Sequence, residues 1–138
     1  CFLGFKMHNE IIQVLFLAAL SDGELHEEEK VIISQYTKSY PVLKNISSEE
    51  IKNELKYLSN KIQSGIDIKY ILRGIKDNLN KDQLSIAYAL GVELCCVNFE
   101  LVPPENDFIK SMEKIFKIDN EIIDQVKGSA MLRYSTKL

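Results

Sequence analysis

Six oxygen-bearing side chains occupy two sets of positions with the same internal spacing. Each set begins at a predicted turn and ends in the first part of the predicted helix that follows. Hard cations such as Ca²⁺ and Mg²⁺ prefer oxygen ligands, and Ca²⁺ tolerates irregular geometry. The spacing therefore predicts a divalent-cation site, with Ca²⁺ or Mg²⁺ as the ion and otherwise no cofactor. The six candidate ligands are Asp22, Glu24, Glu29, Asn98, Glu100 and Glu105.

The same residues also have a purely structural interpretation. An Asp-Gly pair often ends a helix, and acidic side chains at a helix start stabilise it by about 0.3–1 kcal/mol without any ion. Asp22, Gly23 and Glu29 have the spacing of the fifth, sixth and twelfth positions of an EF-hand loop. The first and third positions would then be Ala18 and Leu20, which cannot bind a cation. A single-turn calcium loop is thus excluded, and a cation site requires both turns together.

Other residue types that could do chemistry are sparse. The two histidines, His8 and His26, are not near a cysteine in sequence, which argues against a zinc site. Cys95 and Cys96 fall in an apolar segment, where cysteine behaves as a small hydrophobe; thiolate binding of a soft metal is the alternative. The sequence contains neither a phosphate-binding glycine loop nor a nucleophile with a base at a recognisable spacing. We therefore predict that the protein is not an enzyme.

Helical periodicity along most of the chain predicts the elements that position these residues. Only six Gly and three Pro interrupt the pattern, which favours an all-α fold of about seven helices. Two segments are apolar around most of the helix circumference and are expected to form the centre of the core. Their residues are 9–20 and 83–97. The other predicted helices span approximately residues 27–40, 48–64, 68–77, 103–116 and 120–127.

Capping signals define several helix ends. Ser47 and Glu50 have the spacing of a capping box, and Asp67 and Asp119 are each placed to act as an N-cap. Gly128 is expected to end the last helix, because glycine tolerates the left-handed conformation that closes a helix. The residues after it carry no clear signal.

Length and charge limit the class of protein. A chain of 138 residues fits one domain, with a core expected over about residues 8–128. The net charge of −3 argues against nucleic acid as a partner, and other proteins are the expected partners.

The longest apolar run, residues 14–20, is far shorter than the roughly 20 residues of a membrane-spanning helix. Three cysteines without a disulfide pattern favour a cytoplasmic location. Because the sequence begins at Cys1, we expect an excised fragment, with an acylated lipoprotein as the alternative.

An internal repeat is visible when the sequence is aligned with itself so that Asp22 matches Asn98. The segments F-L-A-A-L-S-D-G-E-L-H-E-E-E-K-V-I-I and V-E-L-C-C-V-N-F-E-L-V-P-P-E-N-D-F-I then agree in pattern. In both, a very apolar helix is joined to an amphipathic helix across a short acidic turn. The sequence therefore predicts two pseudo-repeated helical hairpins, with two further helices between them.

These residues carry a resemblance to a known family. The string A-A-L-S-D-G-E-L and its echo N-F-E-L-V-P-P-E resemble the TerB-like tellurite-resistance family, whose fold also occurs in the N-terminal part of certain membrane-anchored J-domain cochaperones. The resemblance covers about residues 10–127. It implies an all-helical fold of duplicated halves, with paired acidic turns suspected of holding a metal ion. Asn98 and Phe99 stand where the motif has Asp and Gly, so the second turn has fewer carboxylates.

We therefore expect a non-enzymatic TerB-like protein of the bacterial stress response, which binds a divalent cation and presents a surface to partner proteins. The alternative is a helical protein–protein interaction module without a metal. Lys52, Lys56 and Lys61 give the third predicted helix a basic outer face. That face is either an ordinary solvated surface or a docking patch for an acidic partner.

Overall fold

The computed structural model describes residues 2–21, 27–43, 46–96 and 103–134. These residues form seven α-helices and one 3₁₀ turn, with no strand among them, so the predicted all-α fold is confirmed. The helices are α1 (Phe2–Leu20), α2 (Glu27–Ser39), α3 (Ser48–Gln63), α4 (Ile68–Asn78), α5 (Lys81–Cys96), α6 (Pro103–Ile115) and α7 (Asn120–Tyr134). The 3₁₀ turn, Pro41–Leu43, lies between α2 and α3.

Helices α1 and α5 pack against each other at the centre of the core, as their all-round apolar sequences predict. Along α1, residues 11–12 and 14–19 are each no more than 2% exposed. Helices α3 and α4 pack on α1, whereas α6 and α7 pack on α5. Helix α4 also contacts α6, and this contact joins the two sides of the bundle.

Gly91 allows α5 to approach two neighbours closely. A Cβ atom added at this position would lie 3.1 Å from Met112 Cε of α6 and 3.5 Å from Val14 Cγ1 of α1. The absence of a side chain therefore lets three helices meet at one point of the core.

Most of the predicted helix starts are confirmed. Ser47 and Glu50 form the reciprocal capping box, and the Asp67 carboxylate accepts a 2.9 Å hydrogen bond from the Lys69 backbone N–H. Helix α5 begins two residues earlier than predicted. At this helix start, Asn80 and Gln83 form a second reciprocal pair of hydrogen bonds, of 2.8 and 2.9 Å. The sequence analysis did not predict this capping pair.

The first and last helices are longer than predicted. Helix α1 begins at Phe2 rather than near residue 9, and α7 continues through Gly128 to Tyr134. Gly128 does not end α7 because the helix beyond it has its own contacts: Ala130 is buried, and Arg133 lies near Glu93 of α5. Glycine inside a helix costs about 1 kcal/mol relative to alanine, an amount that tertiary contacts can offset.

None of the described helices is both long enough and apolar enough to cross a bilayer.

Candidate functional site

The predicted cation ligands fall on parts of the chain that the structure leaves undescribed. Asp22, Glu24, Asn98 and Glu100 lie outside the described residues. The two remaining candidates belong to helices, Glu29 to α2 and Glu105 to α6, but their side chains are not described either. Among the described residues, no group of three or more His, Cys, Asp or Glu side chains is placed to hold a metal ion. The shared cation site therefore stays a prediction.

The order of the helices around these two turns agrees with the predicted hairpins. Helix α1 precedes the first turn and α2 follows it, whereas α5 precedes the second turn and α6 follows it. The two helices that precede the turns, α1 and α5, pack against each other at the centre of the core. The repeat itself stays a prediction from the sequence.

The cysteine pair lies inside the core. Cys95 and Cys96 are 1% and 7% exposed, in the last turn of α5. Such burial fits the interpretation of both residues as small hydrophobes, because the thiolate form that binds soft metals is disfavoured in apolar surroundings.

A strongly charged groove lies between α4 and α6. It has a volume of about 730 Å³. Six of the residues that line it are cationic, and we call it the basic groove. Its lining residues are Lys69, Arg73 and Lys76 of α4, Asp107, Lys110, Ser111, Lys114 and Ile115 of α6, and Lys117 just after α6.

On the α4 side, the amphipathic pattern of the helix positions the cations. Ile71, Leu72 and Ile75 are buried in the core. Residues 69, 73 and 76 follow the i, i+4, i+7 spacing of a single helix face and line the groove instead.

The α6 side contributes three more cations. Ile109 and Met112 are fully buried and hold the helix on the core. Lys110 and Lys114, one turn apart on α6, line the groove, and Lys117 lines it from the turn that follows the helix. At 1.5 Å per residue, the three cations of α4 extend over about 10 Å.

The charge of the groove is opposite to that of the whole chain. Six cations and the single carboxylate of Asp107 give its described lining a formal charge of +5, whereas the chain carries −3. Among the described residues, none of the six cations forms a salt bridge. Because the positive charges of the lining exceed its single carboxylate by five, the groove favours an anionic ligand.

The backbone at Lys117 has an unusual conformation for a residue with a side chain. Its φ is +53°, in the left-handed region where helices commonly end on glycine. The Ile118 N–H donates to the Glu113 carbonyl at 3.1 Å, and the Phe116 N–H donates to the Met112 carbonyl at 2.9 Å. The chain thus ends α6 with a standard capping pattern but places a lysine at the strained position beside the groove.

Polar contacts fix α6 to its other neighbours. The buried Tyr88 hydroxyl of α5 donates a 2.6 Å hydrogen bond to Glu113, and Lys127 of α7 lies 3.3 Å from the same carboxylate. Burial raises the pKa of Tyr88 far above its ordinary value, and the hydrogen bond to Glu113 and the charge of that carboxylate raise it further. The position of α6, and therefore of its cations, depends partly on this cluster.

The sequence indicated a basic face on α3, which is distinct from the basic groove. Lys52 and Lys56 are exposed on α3, and the Lys61 ammonium lies 4.5 Å from the centre of the Tyr57 ring. The basic groove was missed because its two rows come from helices about 40 residues apart in sequence. The sequence signal that could have revealed it is the i, i+4, i+7 spacing of the cations in α4, which recurs at Lys110, Lys114 and Lys117.

Comparisons with known proteins give no match to this chain among protein-family models, curated proteins or solved structures. The resemblance to the TerB-like family accordingly stays a prediction from the sequence.

Proposed function

We propose that this protein is a non-enzymatic helical interaction module that binds an acidic segment of a partner protein in the basic groove. The observation that carries the proposal is the set of six groove cations without a salt bridge among the described residues. Surface lysines normally spread out or pair with carboxylates, because clustering them costs electrostatic energy. A ligand that brings carboxylates into the groove removes this repulsion.

The lining of the groove suits a polypeptide. Ser111 and Ile115 are half-buried between the charged positions of α6, so the groove offers a hydroxyl and an apolar surface as well as positive charge. A protein segment supplies carboxylates, backbone carbonyls and apolar side chains together. Arg73 adds a planar guanidinium that can bind a carboxylate through two parallel hydrogen bonds.

A binding experiment tests this proposal. The probe is a fluorescently labelled glutamate homopeptide, and the variant is the double charge reversal Arg73→Glu with Lys114→Glu. Both residues are exposed, so the fold should be retained. The matched control is Lys52→Glu with Lys56→Glu, which changes the net charge equally on the exposed face of α3.

We expect the groove variant to lose at least about tenfold in affinity and the control variant to lose less than about threefold. Binding by the wild type should also weaken as the ionic strength rises from about 0.05 M to about 0.5 M, because salt screens exposed charges. Equal losses in the two variants would show that only net charge matters and would overturn the proposal.

A second candidate function follows from the matching spacing of the two sets of oxygen-bearing side chains. We propose that the two acidic turns together bind Ca²⁺ or Mg²⁺, as the resemblance to cytoplasmic TerB-like stress-response proteins implies. The support is that spacing in the sequence together with the packing of α1 against α5, the two helices that precede the turns. The proposed ligands are Asp22, Glu24, Glu29, Asn98, Glu100 and Glu105.

Thermal unfolding with added cations tests this second candidate. A ligand that binds only the folded state raises the melting temperature as its concentration increases. We expect a rise with millimolar Ca²⁺ or Mg²⁺ that is lost in the Asp22→Asn, Glu100→Gln double variant. An unchanged melting temperature with Ca²⁺, Mg²⁺, Mn²⁺ and Zn²⁺ would remove the cation-binding role and leave the interaction module.

A further inference from the structure

We infer that the acidic segment bound in the basic groove is an α-helix whose carboxylates follow the spacing i, i+3 and i+7 or its reverse. This inference rests on the proposed function and specifies the partner. Its basis is the arrangement of the cations along the two helices that form the groove, three from α4 and three from α6 and the turn after it. The α4 row is Lys69, Arg73 and Lys76, and the α6 row is Lys110, Lys114 and Lys117.

The length of the α4 row matches that of a partner helix of two turns. This row extends over about 10 Å. Carboxylates at i, i+3 and i+7 of a partner helix lie on one face and extend over the same distance. A helix placed between α4 and α6 would therefore bring a line of carboxylates between the two rows, in the manner of a helix bound in a groove.

The order of charges on the α6 side of the groove also specifies how a partner helix would be aligned in it. Asp107, Lys110, Lys114 and Lys117 follow one another at intervals of three, four and three residues. A complementary helix carries one basic residue opposite Asp107 and acidic residues opposite the three lysines. Half-buried Ile115 supplies an apolar contact for a leucine or methionine beside that acidic line.

Other anions fit this geometry less well. A single phosphate can contact only part of a groove whose α4 row alone is about 10 Å long. A nucleic acid or an anionic bilayer extends well beyond the groove and would meet a chain whose net charge is −3. Asp107 at one end of the row would repel a continuous polyanion, whereas a helix can place a lysine there.

Four designed alanine-based peptides can test the inference, the first three of identical composition. The first peptide is helical and carries a lysine followed by glutamates three, seven and ten residues later; a second carries the same pattern in reverse order. The third contains the same residues scrambled, so that the glutamates surround the helix. In a fourth, one central alanine is replaced by proline, which prevents a continuous helix. Affinities are measured by calorimetry with the wild-type protein and with the Arg73→Glu, Lys114→Glu variant.

We expect either the first or the second peptide to bind at least about tenfold more tightly than the third and fourth, and to lose this advantage with the groove variant. Equal binding of all four peptides, with a loss in the groove variant, would overturn the helical partner but leave the proposed function intact. Binding of none of them would overturn both. Tighter binding of a single-stranded oligonucleotide or of phosphatidylserine vesicles would show that the partner class is wrong.

Discussion

The Tyr88 hydroxyl of α5 donates a 2.6 Å hydrogen bond to the Glu113 carboxylate of α6, immediately beside Lys114 of the basic groove. Glu113 is also 3.3 Å from the Lys127 ammonium, so three helices share one carboxylate. This contact holds the side of α6 that faces α5 and leaves the groove side to its lysines. The core of the protein and its charged surface are thereby coupled through a single side chain.

Replacing Tyr88 by phenylalanine should destabilise the protein by about 1–2 kcal/mol. The change removes a hydrogen bond to a mostly buried carboxylate while keeping the ring, so the cost is that of the lost donor. Urea unfolding followed by circular dichroism measures the difference. The matched control is Tyr70→Phe, since Tyr70 is 66% exposed and should change stability by less than about 0.5 kcal/mol. Equal effects of the two changes would contradict this role for Tyr88.

Alkaline pH should destabilise the wild type more than the Tyr88→Phe variant. In the unfolded chain, Tyr88 loses its proton near pH 10, whereas the raised pKa keeps it protonated in the folded protein. The unfolded state therefore binds fewer protons than the folded state, and stability falls as the pH rises above about 10. Unfolding free energies measured from about pH 8 to 11 should show a smaller slope in the variant. Parallel slopes would contradict the assignment.

The fold could be predicted from the sequence because its signals are local. The apolar pattern of residues 11–19 predicted a central helix, and the capping box of Ser47 and Glu50 fixed the start of α3; both are confirmed. Gly128 was misread because its local tendency to end a helix is outweighed by contacts of Ala130 and Arg133 with the rest of the bundle. Local signals cannot reveal such tertiary contacts.

The candidate site could be predicted much less well than the fold. The sequence drew attention to the lysines of α3, as either a solvated face or a docking patch, because they lie on one predicted helix. The groove, in contrast, is assembled from two helices that are distant along the chain. Arg73 and Lys114 line the same groove only because α4 packs against α6. The cation ligands at the two turns, Asp22 and Asn98 among them, stay a prediction because they lie outside the described residues.

Substitutions at two helical glycines should change stability in opposite directions. Gly91→Val should destabilise the protein by about 1–3 kcal/mol, since a Cβ there already lies 3.1 Å from Met112. Gly128→Ala should stabilise it by about 0.5–1 kcal/mol, because an added Cβ would meet no described atom within 4 Å and alanine favours the helix. Thermal and urea unfolding both report these differences. A stabilised Gly91→Val variant would show that the three helices are not in close contact there.

Replacing Lys117 by glycine should raise the stability of the protein but lower its affinity for an acidic peptide. Its φ of +53° is unfavourable for lysine and natural for glycine, so Lys117→Gly should stabilise the protein by about 1 kcal/mol relative to Lys117→Ala, which keeps the strain. Both variants remove the same groove charge and should weaken binding of the glutamate homopeptide to a similar extent. Urea unfolding measures the first effect and fluorescence anisotropy the second. If Lys117→Gly were less stable than Lys117→Ala, the strain argument would be wrong; if both bound the peptide as well as the wild type, Lys117 would not contribute to the basic groove.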